Sequence, residues 1–354
     1  MKRRFSFFIV CPFVFSAFLA AFPFSCSLSR DGGVFKSTER GENWQQKITV
    51  SKNQNIGLFN ILTISIDPAD SQTLYLGTRS EGIYKSENGG DSWSFLNDKN
   101  GALNKRANVY DFAIDQRNTN IIFIGTYQDK FGRFFRSSDG GASWEETYRV
   151  SRTGYAIFAV AIDPVEDSII YMGTAEGGFL KSADYGKTWN VIEWFDDVIT
   201  DIKVNPRNAS VVYVSTFRQG AYKSLDKGNT WQKLEQLGNF PESDGIKTLV
   251  MDSHNPDVLY VGSRSGLLKS SDGGINWQKI SIVIPPESVS VQAVALDPSN
   301  TATLYYAAGN VIYRSDDGGQ NWSVHPMATS RRVKIIAVDF RNSNILYAGM
   351  HDPE

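Results

Sequence analysis

Carboxylates at a fixed place in a recurring segment are the first residues in this chain that could do chemistry. Glu39, Asp139, Asp184, Asp226, Asp272 and Asp317, with Asn88 as an amide counterpart, each stand two residues after a serine and five before a tryptophan. Those tryptophans are Trp44, Trp93, Trp144, Trp189, Trp231, Trp277 and Trp322. Paired acids are what a glycosidase needs as acid and base or nucleophile. Repetition points elsewhere. An acid placed alike in every copy is holding a turn, its oxygens accepting backbone N–H groups while a following glycine takes positive φ and the tryptophan returns to pack. Function is then expected from residues that differ between copies.

The elements that must position such residues follow from the spacing. Successive box tryptophans lie 42 to 51 residues apart, which suits a unit of four short strands. Each box follows an apolar pair and a base, as in Val34-Phe35-Lys36 or Ile83-Tyr84-Lys85. Upstream, two β-rich runs flank a polar turn anchored by Asp67, Asp115, Asp163, Asn205, Asp252, Asp297 or Asp339. Each unit therefore reads as strands A and B, then C and D. The chain opens with a C and D pair and closes with an A and B pair that has no box after it. The two ends complete one another, which gives an all-β fold of seven blades, the last shared by both termini.

On that frame, the loops between B and C and between D and A share one face, opposite the A–B and C–D turns. The residues there that vary between blades are the candidates for binding: Arg79, Asp129, Glu176, Arg218 and Arg264 from B–C loops, and Trp194, Asp196 and Asp197 from a D–A loop. Arg331 and Arg332 fall in another D–A loop. Trp194 is the one tryptophan outside a box, and beside acids it could stack on a sugar or anchor a protein, or else fold over a blade edge. Arg79, Arg218 and Arg264 occupy equivalent loops and either converge on an anionic group or are solvated rim charges. Asp129 with Asp196 or Asp197 is the least poor pairing of acids for a two-carboxylate mechanism.

The repeated SxDxGxxW wording resembles the Asp-box, or BNR-repeat, β-propeller superfamily, over the chain from about Gly32 to its end. Glu39 and Asn88 depart from the pattern, yet both still accept hydrogen bonds. Two non-catalytic branches resemble the chain most. One is the sortilin type, whose ring is larger. The other is the photosystem II assembly and stability factor type, a single seven-bladed exported propeller that binds a protein. Sialidases and xyloglucan-cleaving glycosidases share the boxes, and the latter close a cleft between two propellers. The resemblance implies a non-catalytic scaffold for a protein or glycan partner, with a glycosidase as the rival.

Composition and the N-terminus bound the rest. Residues 1–26 read as a leader ahead of one propeller at 27–354: Lys2, Arg3 and Arg4, then an apolar run from Phe5 to Phe24. This predicts export, with the run either cleaved or retained as a membrane anchor. Cys26 resembles a lipoprotein attachment site, though Pro23, Phe24 and Ser25 are not the usual preceding residues; the other reading is an ordinary leftover cysteine. Cys11 is the only other cysteine, so no disulfide can form within the propeller. Only five residues separate Cys26 from the first strand, a reach of roughly 17 Å at most, so an anchor there would hold the loop face near a membrane. Removing Lys2, Arg3 and Arg4 takes three from 36 basic residues against 38 acidic ones, leaving a net charge of −5. That balance argues against nucleic acid as partner. His254, His325 and His351 show no paired ligand spacing, so neither a metal nor another cofactor is expected.

Overall fold

A computed structural model describes residues 30–284 and 290–352; the leader and Cys26 lie outside the described residues. Seven four-stranded antiparallel sheets stand around an axis. Six are continuous in sequence. In the seventh, Arg332–Val338 and Leu346–His351 supply strands A and B, while Val34–Ser37 and Gln45–Gln46 supply C and D. Val34 pairs with Gly349 and Ser37 with Leu346, so head and tail of the described chain form one sheet as the repeat order predicts. A small hairpin, Thr49–Ser51 with Gln54–Asn55, was not foreseen. It follows the first box, and Trp93 donates its backbone N–H to Thr49 and its indole N–H to Lys47.

The recurring box is a closed hydrogen-bond set. In the fourth blade, the buried Ser224 Oγ accepts from the Asp226 and Gly228 N–H groups and donates to Asp226, which in turn holds the N–H and hydroxyl of Thr230. Ser86 with Asn88 reproduces it using an amide, and Glu39 reaches Asn43 by side chain alone. Donors from Thr188, Thr230 and Asn321 hold Asp184, Asp226 and Asp317 down to about 2, since each hydrogen bond favours the ionised form.

Neighbouring blades are joined twice. Near the turn face, Lys223 lies over the Tyr213 ring, and both donate to the Gly273 carbonyl of the next blade. In the closing blade, Lys36 from the N-terminal strand and Tyr347 from the C-terminal one converge alike on Gly89. Near the loop face, in five blades the first aliphatic of strand A packs on a glycine of the preceding B strand. Ile61, Val109, Ile157, Ile199, Ile246, Val291 and Val333 are all fully buried. A Cβ on Gly173 would come within 2.4 Å of Ile199, and one on Gly349 within 2.7 Å of Ile61.

The spacing between blades is therefore set by the smallness of the B-strand residue. Gly173→Val is expected to lower stability by about 1–3 kcal/mol through overpacking. Ser224→Ala, which strands a buried glycine N–H, should cost about 1–3 kcal/mol. Denaturant melts of both variants check these values.

Candidate functional site

The innermost strands of all seven blades carry a β-bulge at one place. Thr63 and Ile61 pair with consecutive residues of strand B while Leu62 between them is left out, and the same happens at Tyr110, Phe158, Thr200, Lys247, Gln292 and Lys334. A bulge re-aims the residue it leaves unpaired. Here all seven line one cavity of about 600 Å³ at the axis, together with Arg79, Phe217, Arg332 and Asp352 from the loop face. Tyr110 and Phe158 meet edge to face at 4.6 Å, forming an aromatic wall. Lys247 stands 4.8 Å over the Phe217 ring. Lys334, Arg79 and Arg332 add three more cations to the lining, which also holds Asp352.

Below the mouth lies a charged cluster. Asp111 and Asp201 occupy the position four residues before the A–B turn anchor, where the other blades have Thr63, Ala159, Thr248, Ala293 and Ile335. Each reaches into the next blade: Asp111 accepts from the Val160 N–H at 2.9 Å and Asp201 from the Leu249 N–H at 3.1 Å. Lys203 is paired with Asp201 at 2.5 Å. Burial pushes the Asp111 carboxyl up to about 7, against the pull of Lys203 and its backbone donors. Burial alone would lower Lys203, but Asp201 and then Asp111 outweigh it and hold its ammonium above the usual lysine range.

Of the loop residues named from sequence, Arg79 and Arg332 line this mouth, and the candidates Asp129, Glu176, Trp194, Asp196, Asp197, Arg218 and Arg264 lie outside it. Arg218 flanks Phe217, with its guanidinium 5.7 Å from that ring, and Arg264 packs on Gly245. The acids are taken up structurally. Asp129, at φ 49° in a tight turn, pairs with Arg133 at 3.0 Å, and Glu176 with Arg152 at 2.8 Å. Asp197 accepts the N–H groups of Val198, Arg218 and Gln219, tying two loops together. Asp196 is exposed with φ 53°.

Trp194 closes the outer strand Asn190–Trp194 instead of lying in a loop, half exposed, its ring over Gly178. Phe195 beside it is buried against Tyr222 and Trp231. Arg331, read as a loop charge, is buried and joins Asp31 to Asp352 while donating to the Leu58 and Phe59 carbonyls, so it clasps the two ends of the ring. Sequence reasoning missed the bulged ring and the Asp111–Lys203–Asp201 cluster. The signal was present in the repeat alignment, where acids interrupt an otherwise apolar or threonine position in two blades.

Part of the chain is similar to a known family. Residues 194–337 match the family described as Photosynthesis system II assembly factor YCF48. The chain also superposes on the solved structure "YCF48 bound to D1 peptide" with a TM-score of 0.62 at 16% identity, covering 83% of this chain and 94% of that one. The family match takes in about two fifths of the chain, as a likeness of part of it. Among curated proteins, the chain is 31% identical over 134 residues to the xyloglucanase Xgh74A of Acetivibrio thermocellus, which covers 32% of this chain and 16% of that protein. It is 26% identical over 229 residues to a probable oligoxyloglucan-reducing end-specific xyloglucanase of Neosartorya fischeri, covering 60% of this chain and 23% of that protein. The chain thus spans less than a quarter of these curated relatives. The GH74 xyloglucanase of Xanthomonas campestris superposes with a TM-score of 0.70 at 17% identity over 86% of this chain and 52% of that one. Likeness at such identities speaks for the fold alone.

The Asp111 shift has a pH signature. A carboxyl whose folded value is raised to about 7 binds its proton more tightly in the native state, so stability falls as pH rises from about 4 through 7. Asp111→Asn removes this term and keeps an acceptor for the Val160 N–H. The variant should gain in melting temperature relative to the parent as pH goes from 5 to 8. A constant difference across that range would contradict the assignment.

Proposed function

We propose that this propeller is a non-catalytic scaffold, acting outside the cytoplasm, that holds a segment of a protein partner at the mouth of its central channel. The observation that carries the reading is the ring of seven bulged side chains, which turns the least constrained position of each inner strand toward one cavity. Its aromatic wall and facing cations suit an extended polypeptide bearing apolar and acidic side chains. A propeller of similar extent has been solved with a peptide bound. The location outside the cytoplasm is part of the proposal and is supported by the leader read in the sequence.

A glycosidase is the second reading, favoured by the xyloglucanase relatives. Two features weigh against it. The chain aligns with about half of the solved xyloglucanase, so one propeller supplies a single wall of a two-propeller cleft. The loop-face acids Asp129, Glu176 and Asp197 are engaged with arginines or backbone N–H groups.

Selection of peptides from a random display library on the full chain separates the readings. Peptides that bind the parent and lose at least about tenfold in affinity on Phe158→Ala with Lys247→Ala would support the mouth, a loss in the range of one or two interface hot spots. Hydrolysis of xyloglucan, abolished by Asp129→Asn, or binding indifferent to both mouth substitutions, would overturn it.

A further inference from the structure

The charges of this molecule are sorted along its axis. The turn face carries a box carboxylate in six of seven blades, Glu39, Asp139, Asp184, Asp226, Asp272 and Asp317, all placed there by the turn geometry. Three of them are held ionised down to about 2, so that face stays anionic over any physiological pH. Cations on it are partly spent: Arg40 pairs with Asp316 at 2.6 Å, Lys227 with Glu166 at 2.6 Å and Arg117 with Asp167 at 3.3 Å.

The loop face is arranged the other way. Four of its acids are paired, Asp129 with Arg133, Glu176 with Arg152, Glu242 with Lys279 and Asp352 with Arg331, while Glu81, Asp196 and Asp244 stand exposed outside any ion pair among the described residues. Exposed Lys105, Arg106, Lys130, Arg218, Arg264 and Arg332 have no carboxylate within ion-pair distance among the described residues. These cations come from blades spread around the ring, so they form a crown around the mouth.

The chain enters the propeller on this same face. Asp31 accepts from the Ser330 N–H at 2.7 Å and its neighbour Gly32 bonds to Gly57, both in D–A loops. The 29 residues before Arg30 include the apolar run Phe5–Phe24. We infer that the cationic loop face docks on the anionic lipid surface of a bilayer, with the channel mouth turned toward the membrane and the acidic turn face away from it. A single acyl chain gives marginal membrane binding, and a basic surface is the usual second signal. The sorting also sets orientation, because the turn face is repelled by the same lipid surface that attracts the crown. This follows from the charge layout and stands even where the mouth takes no peptide.

The test is amine footprinting by mass spectrometry of the full chain reconstituted with vesicles. Phosphatidylcholine alone is compared with a mixture containing about a quarter phosphatidylglycerol. Labelling of Lys105 and Lys130 is expected to fall by about threefold or more on the anionic vesicles and to recover in about 0.5 M salt, where screening shortens to a few Å. Lys187, on the turn face, should label equally on both. Arg106→Glu with Arg264→Glu, checked for an unchanged melting temperature, should restore labelling of Lys105 and Lys130. Equal labelling of the loop-face lysines on both compositions, protection of Lys187 instead, or protection unmoved by salt and by the double variant would each overturn the inference. Peptide selection in solution is independent of lipid, so the two readings fail separately.

Discussion

The contact on which the rest of this molecule depends is the close approach of one blade to the next. In five blades it is made by an isoleucine or valine at the start of the inner strand against a glycine of the preceding blade, such as Ile199 on Gly173 and Ile61 on Gly349. Because that aliphatic must point into the blade interface and so must the residue three further on, as Ile202 and Leu249 do, the chain between them has one residue too many for an even pleat. The surplus is absorbed as a bulge, and the bulged side chain has nowhere to go but the axis. Packing between blades thereby creates a position in every blade that is structurally unconstrained and converges on one cavity.

Closure follows from the same logic of finishing what a strand begins. A seven-bladed ring with an unpaired edge would expose a row of backbone donors and acceptors. Pairing of Val34–Ser37 with Leu346–Gly349 removes that edge without a covalent link. The converging contacts of Lys36 and Tyr347 on Gly89, and of Arg331 on both ends, anchor the shared blade to its neighbour. These contacts join elements distant in sequence, beside the local bonds that hold each box and turn.

The architecture was legible in the sequence because it is repeated. Seven boxes and seven turn anchors leave few folds open, and the split order of strands at the two ends announces the shared blade. The site was only partly legible. Loop residues such as Asp129 and Asp197 vary between blades and so look functional, yet variation at a loop can equally mark a local staple, which only coordinates reveal. The bulged positions were hidden for the opposite reason. Leu62, Phe158 and Thr200 sit inside strands whose apolar pattern reads as core, and a two-residue period does not announce where it slips. Arg331 next to Arg332 shows the same limit: one is buried as a clasp and the other exposed, though the sequence presents them as a pair.

A consequence joins these points. The scaffold places its repeated acids on one face by necessity and leaves the other face free to vary, so a polarity of charge accompanies the polarity of construction. Everything functional in this account presumes that the ring is closed by its own ends. Native-state hydrogen exchange of the full chain tests that most directly. Amides of Val34–Ser37 and Leu346–Gly349 should exchange as slowly as those of Leu259–Ser263 in the fifth blade, through the same global opening. Fast exchange of both terminal strands while the fifth blade stays protected would mean that the shared sheet is not formed, and would contradict the account.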